Sequence, residues 1–255
     1  MHKYFILVPR MIPSGPIKGA VALANELVDS RPVTLVSLKN GNESGFFLDS
    51  RVKVICLKNK KTFRARLAAY RALLREAGGR KSAISLSFCF SADGLNLFCR
   101  KDAITGSSVR GNLILNYTMD YGVAGFGLAI AHMIGLRRFD HIFAMTKTMA
   151  LQLKPYCGRM PHIVGNFVDE RRLEPYRVSE EKKGSLRFVF VASLSKRKQP
   201  LSLLKAAIAL HGLGHDIKLD IIGEGELRSS CAKIINDHQL ADCVTLCGQL
   251  QDPYP

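Results

Sequence analysis

No two cysteines in this chain form a C-x-x-C pair, although there are seven of them. Cys56, Cys89, Cys99, Cys157, Cys231, Cys243 and Cys247 are an odd, scattered set, so neither a disulfide framework nor a zinc site is expected. Free thiols of this kind suit a reducing cytoplasm. Long apolar runs are missing as well. Residues 1–8 are apolar but are stopped by Pro9 and Arg10, which reads as a first buried strand and not as the core of a signal peptide. Residues 122–136 are the longest weakly polar stretch. With His132 and several glycines inside it, that stretch falls short of the roughly 20 residues a bilayer span needs. Internal repeats and low-complexity tracts are also absent.

Acidic residues are scarce: 37 Lys and Arg stand against 21 Asp and Glu, a formal net charge of +16. The excess is uneven, because residues 1–81 hold 16 Lys and Arg against 5 Asp and Glu. Lys58, Lys60, Lys61, Arg64, Arg66, Arg71, Arg75, Arg80 and Lys81 crowd one segment, opposed there only by Glu76. Such a field attracts polyanions or an anionic membrane face. Nucleic acid is the weaker of these partners, since the basic run lacks the interleaved aromatic residues of a stacking platform.

What is present is a chain of 255 residues, 47% hydrophobic, long enough for one large or two medium domains. Short β-rich runs alternate with longer helical ones, the pattern of strand-helix-strand units and a parallel sheet. Strands are predicted at 4–8, 33–38, 52–57, 83–88, 112–116, 141–144 and 162–164, all within one doubly wound domain spanning 1–178. A charged segment that contains Pro175 and ends in Gly184 has a linker composition, with the linker proper at 179–186. From Arg187 the alternation restarts, with strands at 188–192, 218–222 and 244–246. The expected fold class is therefore α/β with two Rossmann-like domains, the second (187–255) holding about three strands where a nucleotide-binding sheet uses about six.

Two turns of the second domain carry the strongest chemical signal. The basic turn Ser193-Leu194-Ser195-Lys196-Arg197-Lys198-Gln199-Pro200 follows a strand and opens a helix, where fixed positive charge opposes the helix dipole until an anion neutralises it. Lysine is a compact charge able to sit on a diphosphate, and arginine can grip two oxygens at once. A solvated basic loop is the competing reading of this turn alone. The strand 219–222 runs into Gly223-Glu224-Gly225-Glu226, and glycines there let backbone approach an oxygen-rich ligand. A third glycine and a suitably spaced acidic residue are lacking, which disfavours an NAD site.

The first domain offers weaker signals. In Ser14-Gly15-Pro16-Ile17-Lys18-Gly19, between strand 4–8 and a helix predicted at 21–28, Gly15 and Gly19 would expose helix N–H groups to an anion. Taken alone this turn reads first as a flexible connection. Phe63, Leu67, Tyr70 and Leu74 make an apolar helical stripe flanked by Arg64, Arg71 and Arg75. The stripe is expected to pack on the sheet, and the excess cations (Lys60, Lys61, Arg64, Arg71 and Arg75) to face lipid phosphates. Asp120, read as following a strand, either faces a cleft or is a turn residue. His132 reads as a hydrogen-bonded core histidine, and Cys243 and Cys247 as core packing.

Taken in order, Ser14 to Gly19, Val164-Gly165-Asn166-Phe167-Val168-Asp169, Val189 to Leu194 with Arg197-Lys198, Ile221 to Leu227 and Val244-Thr245-Leu246-Cys247-Gly248 resemble the retaining GT-B glycosyltransferases of family 4. The resemblance covers the whole chain and is most specific after residue 186. It implies two Rossmann-like domains, a nucleotide-sugar donor held by the second, an acceptor held by the first, transfer with retention, and no metal or other cofactor. By the same resemblance Lys198 is the donor-diphosphate lysine. Gly223, Glu224 and Gly225 form the turn beside the donor, Gly248, Gln249 and Leu250 read the base, and Gly15 and Gly19 lie beside the donor phosphates. Ser193 stands where many members have arginine, so Arg197 is assigned the second cation. Met119-Asp120 occupies the region of the family's cleft histidine.

The family's paired glutamates would fall past Pro255, as would the final helix that crosses back to the first domain. The chain is accordingly expected to be a fragment or a degraded copy with impaired activity. The expected acceptor is a lipid-linked or cell-surface glycan, met at the cytoplasmic face of a membrane. The alternative function is a non-catalytic nucleotide- or polyanion-binding α/β protein.

Overall fold

A computed structural model describes residues 1–41, 46–167, 170–174 and 186–250. The chain divides into two compact units, Met1–Asp169 and Glu170–Pro255. Most of the expected linker 179–186 lies outside the described residues.

The first unit is a seven-stranded parallel sheet in the order β3-β2-β1-β4-β5-β6-β7. Its strands are β1 (Lys3–Arg10), β2 (Val33–Lys39), β3 (Lys53–Cys56), β4 (Ala83–Phe88), β5 (Ile104–Val109), β6 (His141–Ala144) and β7 (His162–Ile163). Along β1 the side chains alternate between two buried faces, as expected of a parallel sheet covered on both sides. Ile6 and Val8 join Val33 and Leu35 of β2 in a core under α1 (Gly15–Leu27). Phe5 and Leu7 join Val36 and Leu38 in a core under α2 (Phe63–Glu76) and α3 (Phe90–Asn96). Helices α4 (Leu113–Tyr121), α5 (Val123–Gly135) and α6 (Lys147–Cys157) close a third core with Ile142 and Ala144. The strand order reverses between β1 and β4, and that reversal opens a crevice at the carboxyl edge.

The strand expected at 112–116 is instead helix α4, and the fifth strand lies at 104–109. Asn112 accounts for the helix: its side chain accepts a hydrogen bond from Leu115 N at 2.9 Å, an N-cap that commits the following Leu-Ile-Leu to helical turns. The true strand, Ile-Thr-Gly-Ser-Ser-Val, is nearly free of large apolar residues yet buried. Its polarity is met only in part: Asn96 Nδ2 donates to Gly106 O at 3.1 Å and Thr105 Oγ1 donates to Asp140 Oδ2 at 3.1 Å, while Ser107 Oγ is buried with no partner among the described residues. Asp120 consequently sits exposed in the last turn of α4 and does not follow a strand. The first helix also starts six residues earlier than the expected 21–28. Pro16 stands in its first turn, where a missing N–H is no loss, so Gly15 and Gly19 belong to α1 itself.

The second unit holds β8 (Leu186–Val191), β9 (Ile217–Ile222) and β10 (Val244–Gly248), parallel and ordered β10-β9-β8, with α8 (Pro200–Gly212) and α9 (Arg228–Asp237). A short helix, α7 (Glu170–Leu173), precedes them. Leu194, Leu204, Leu219, Ile221, Cys231 and Ile235 form its core. The order matches one half of a doubly wound sheet.

Candidate functional site

The carboxyl ends of the three strands of the second unit converge. Ala192 N donates to Ile222 O at 3.1 Å, Leu194 N to Glu224 O at 2.9 Å, and Leu227 N to Leu194 O at 2.9 Å, which sews the loop after β8 to the turn after β9. Leu194 is wholly buried and anchors that seam. Gly223, at φ 143°, lies so close to the neighbouring loop that a Cβ would fall 1.9 Å from Ala192 O. At Gly225 a Cβ would fall 2.5 Å from Leu194 O. These are two positions where only hydrogen fits. Gly223 N donates to Gly248 O at 2.8 Å, bringing in the loop after β10, and a Cβ on Gly248 would lie 3.3 Å from Glu224 Oε1. Glu224 pairs with Arg228 one turn on, at 3.0 Å.

Ser193, Gly223, Glu224, Gly225 and Gly248 are thus brought together. Arg197 and Lys198 lie exposed on a single 3-10 turn, Lys196–Lys198, between this cluster and the start of α8. Neither has an ion-pair partner among the described residues. Gln199, at φ 53°, makes the left-handed corner that turns the chain into α8. Gln249 and Leu250 follow β10 and are exposed. The result is a carboxyl edge of bare backbone and free cations, suited to an oxygen-rich anion.

In the first unit, Gly15 has nothing within 4 Å of where a Cβ would stand. Gly19 is buried, and a Cβ there would lie 3.0 Å from Asn166 Oδ1 and 3.1 Å from Arg110 Nη1. Arg110 follows β5, and because hydrophobic patterning passes over that strand, nothing in the sequence marks Arg110 as a strand-end residue. Cys89, at φ 71°, turns β4 into α3 beside it, and burial pushes its thiol up to about 11.

His132 is the buried core histidine expected. Its Nε2 lies 3.0 Å from Asp93 Oδ2 and its Nδ1 2.8 Å from the Tyr117 hydroxyl, while Ser87 Oγ donates to Asp93 Oδ1 at 2.6 Å. The chain Ser87-Asp93-His132-Tyr117 ties β4, α3, α5 and α4 together. Its other members carry no sequence motif.

The stripe of α2 packs inward through Tyr70 and Leu74, while Phe63 is half exposed against Phe98. Two of its arginines are committed within the protein. Arg71 Nε and Arg75 Nε grip the two oxygens of Asp102 at 2.5 and 2.6 Å, so neither is a free surface cation. Lys60, Lys61 and Arg64 are exposed. Cys243 is buried and Cys247 half-buried, and among the described residues no group of His, Cys, Asp or Glu is arranged to hold a metal. No described helix is long and apolar enough to cross a membrane. An apolar cavity of about 320 Å³, lined by Ile6, Leu23, Leu86, Phe143, Val164 and Phe167 among others, lies on the α1 side of the sheet.

No family model and no curated protein matches the chain by sequence. Solved structures do match it. TarM aligns with all of this chain and 78% of its own length, with a TM-score of 0.76 at 14% identity. HepE of Anabaena, solved with UDP and glucose, aligns with 98% of this chain and 70% of its own (TM-score 0.72, 12% identity). WaaG, a glycosyltransferase of lipopolysaccharide biosynthesis, aligns with 97% and 70% (TM-score 0.62, 12% identity). The fold is that of the GT-B glycosyltransferases. The extent varies: a point mutant of S. aureus TarM, solved with UDP, aligns over 73% of this chain and only 37% of its own (TM-score 0.54, 18% identity). The converging loops of the second unit and the crevice of the first each lie at the carboxyl edge of their own sheet, the place where open α/β sheets generally bind ligands.

Proposed function

We propose that this chain binds a nucleotide-sugar donor on its second unit and belongs to an enzyme that transfers the sugar with retention of configuration. The observation that carries the reading is the meeting of Ser193, Gly223, Gly225 and Gly248 beside the unpaired Arg197 and Lys198. Lys198 takes the diphosphate, Arg197 supplies the second cation, and Gly248, Gln249 and Leu250 lie beside the base. As the glycosidic bond breaks, negative charge grows on the departing diphosphate. Fixed cations there favour the transition state over the ground state. Sugar, base and diphosphate come as one substrate, and the reading assigns no metal and no further cofactor. Asp120 is kept as an acceptor-side candidate.

UDP is the first probe, because HepE was solved with UDP and glucose. A ligand that binds only the folded state raises stability by about 2.7 kcal/mol at one hundred times its dissociation constant. UDP or another nucleoside diphosphate is expected to raise the melting temperature; no response to any of them would sink the proposal. Turnover of a bound nucleotide-sugar separates an active enzyme from a non-catalytic nucleotide-binding protein.

For the acceptor we propose a lipid-linked or polysaccharide glycan, reached from a cytoplasmic position at an anionic membrane surface. Support comes from the charge excess of residues 1–81 and the exposed Lys60, Lys61 and Arg64. Changing these three to glutamine is expected to weaken binding to phosphatidylserine vesicles, read by sedimentation at low salt, by up to about a hundredfold, each charge being worth about 1 kcal/mol near such a surface. Arg71 and Arg75 are left out of this test, since they hold Asp102. Unchanged sedimentation would contradict the membrane reading.

A further inference from the structure

We propose that Arg110 is the receptor for a phosphoryl group in the crevice of the first unit, a site separate in sequence and in fold from the cations at 197 and 198. It rests on the glycosyl-transfer reading and deepens it by naming an anion contact on the first unit, additional to Lys198.

Arg110 is a half-buried cation held on nearly every side. Its guanidinium carbon lies 5.0 Å from the centre of the Phe88 ring and 5.3 Å from that of Phe167. Nε donates to Ser108 Oγ at 3.1 Å, and Nη1 donates to the side-chain oxygen of Asn166. These contacts come from the ends of β4 and β5 and from the segment that follows β7, which together fix the plane of the group. Among the described residues Arg110 has no carboxylate partner. The titratable group acting on it is the Cys89 thiol, which burial keeps neutral. Burial also draws the guanidinium below its ordinary value, yet it stays charged at any physiological pH. A cation partly withdrawn from water with no opposing charge is costly until an anion joins it.

One edge of the group is left free. Nη2 has no protein partner among the described residues, and it is not among the buried atoms that lack one, so it opens to solvent. It opens over Gly19, where a Cβ would come within 3.5 Å of Nη2. Arginine locked in plane, with one N–H edge aimed at the crevice of a doubly wound sheet, suits the oxygens of a phosphoryl group. Two sources share that chemistry: the diphosphate of the donor and a phosphate on the acceptor.

The test uses the whole chain and follows the melting temperature with UDP and, separately, with glycerol 3-phosphate, each protein read against its own ligand-free value. The wild type is expected to respond to at least one probe, and Arg110→Gln to bind that probe about tenfold or more weakly, as for loss of a hydrogen bond to a charged group. Arg110→Lys keeps the charge without the fixed fork and should retain part of the response, which guards against a glutamine variant that merely folds poorly. Loss of the UDP response assigns the site to the donor. Loss of the glycerol 3-phosphate response alone assigns it to a phosphorylated acceptor. If neither probe stabilises the wild type, or if both act equally on wild type and Arg110→Gln, the proposal is overturned and Arg110 is only a clamp between strand ends. A UDP response abolished by Lys198→Ala, with both the UDP and the glycerol 3-phosphate responses untouched by Arg110→Gln, would leave the donor site standing while this one falls.

Discussion

Gly223→Ala is expected to destabilise the second unit by about 3 kcal/mol or more and to abolish nucleotide binding with it. Two penalties act together. At φ 143° an L side chain is strained wherever it points, and the added carbon would lie 1.9 Å from Ala192 O, a backbone atom that cannot rotate away. Relief requires moving the loop after β8 off the turn after β9, which breaks the Ala192–Ile222 and Leu194–Glu224 hydrogen bonds. Those bonds also place the turn that carries Arg197 and Lys198. Gly15→Ala is the control: nothing lies within 4 Å of the new carbon, and stability should stay within about 0.5 kcal/mol. Chemical denaturation of the two variants checks the contrast. A Gly223→Ala protein as stable as wild type would mean that the loops are not joined as described.

The second large effect is expected at Asp102. Its side chain is 5% exposed and takes both Arg71 and Arg75. Burial alone would raise its carboxyl, but the hydrogen bonds and charges of the two arginines reverse that and leave it below the usual carboxylate range. Asp140 behaves alike: burial raises it, and Arg80 together with the Thr105 N–H and hydroxyl draws it down further. A carboxylate depressed in the folded state binds its proton less readily there than in the unfolded chain. Its contribution is therefore complete above the unfolded value of about 3.9 and disappears as pH falls through the lower folded value. Wild-type stability should fall steeply below about pH 4. Asp102→Ala should lose about 2–3 kcal/mol at pH 7, with Arg71 left unpaired, and should show a shallower acid limb. Equal acid limbs in urea titrations at pH 7 and pH 3 would show that the triad does not stabilise the fold.

The second unit was readable in advance because its chemistry is local. The strand Leu219 to Ile222 is mostly apolar and runs straight into Gly223, and each loop follows its own strand within a few residues. The first unit hid its features for physical reasons. Strand β5 is buried yet polar, its Gly106 carbonyl held by Asn96 and Ser87 and its Thr105 by Asp140, all from other elements, so hydrophobic patterning passes over it and takes the capped helix after Asn112 for a strand. Arg110 loses its position at a strand end by the same displacement. Arg71 and Arg75 of α2 look free because Asp102, their partner, comes from beyond two further elements. His132 reads correctly as a hydrogen-bonded core residue, but Asp93 and Tyr117 emerge as its partners only once α3, α4 and α5 are folded against one another.

Whether the three loops of the second unit form a diphosphate site is decided most directly by titrating UDP calorimetrically into the wild-type chain and Lys198→Ala. Lys198 is exposed on a short turn, so its loss leaves the fold intact. The account predicts saturable binding to the wild type and affinity at least about tenfold weaker in the variant, the loss of one charge-assisted contact. Equal affinity in the two proteins would contradict it.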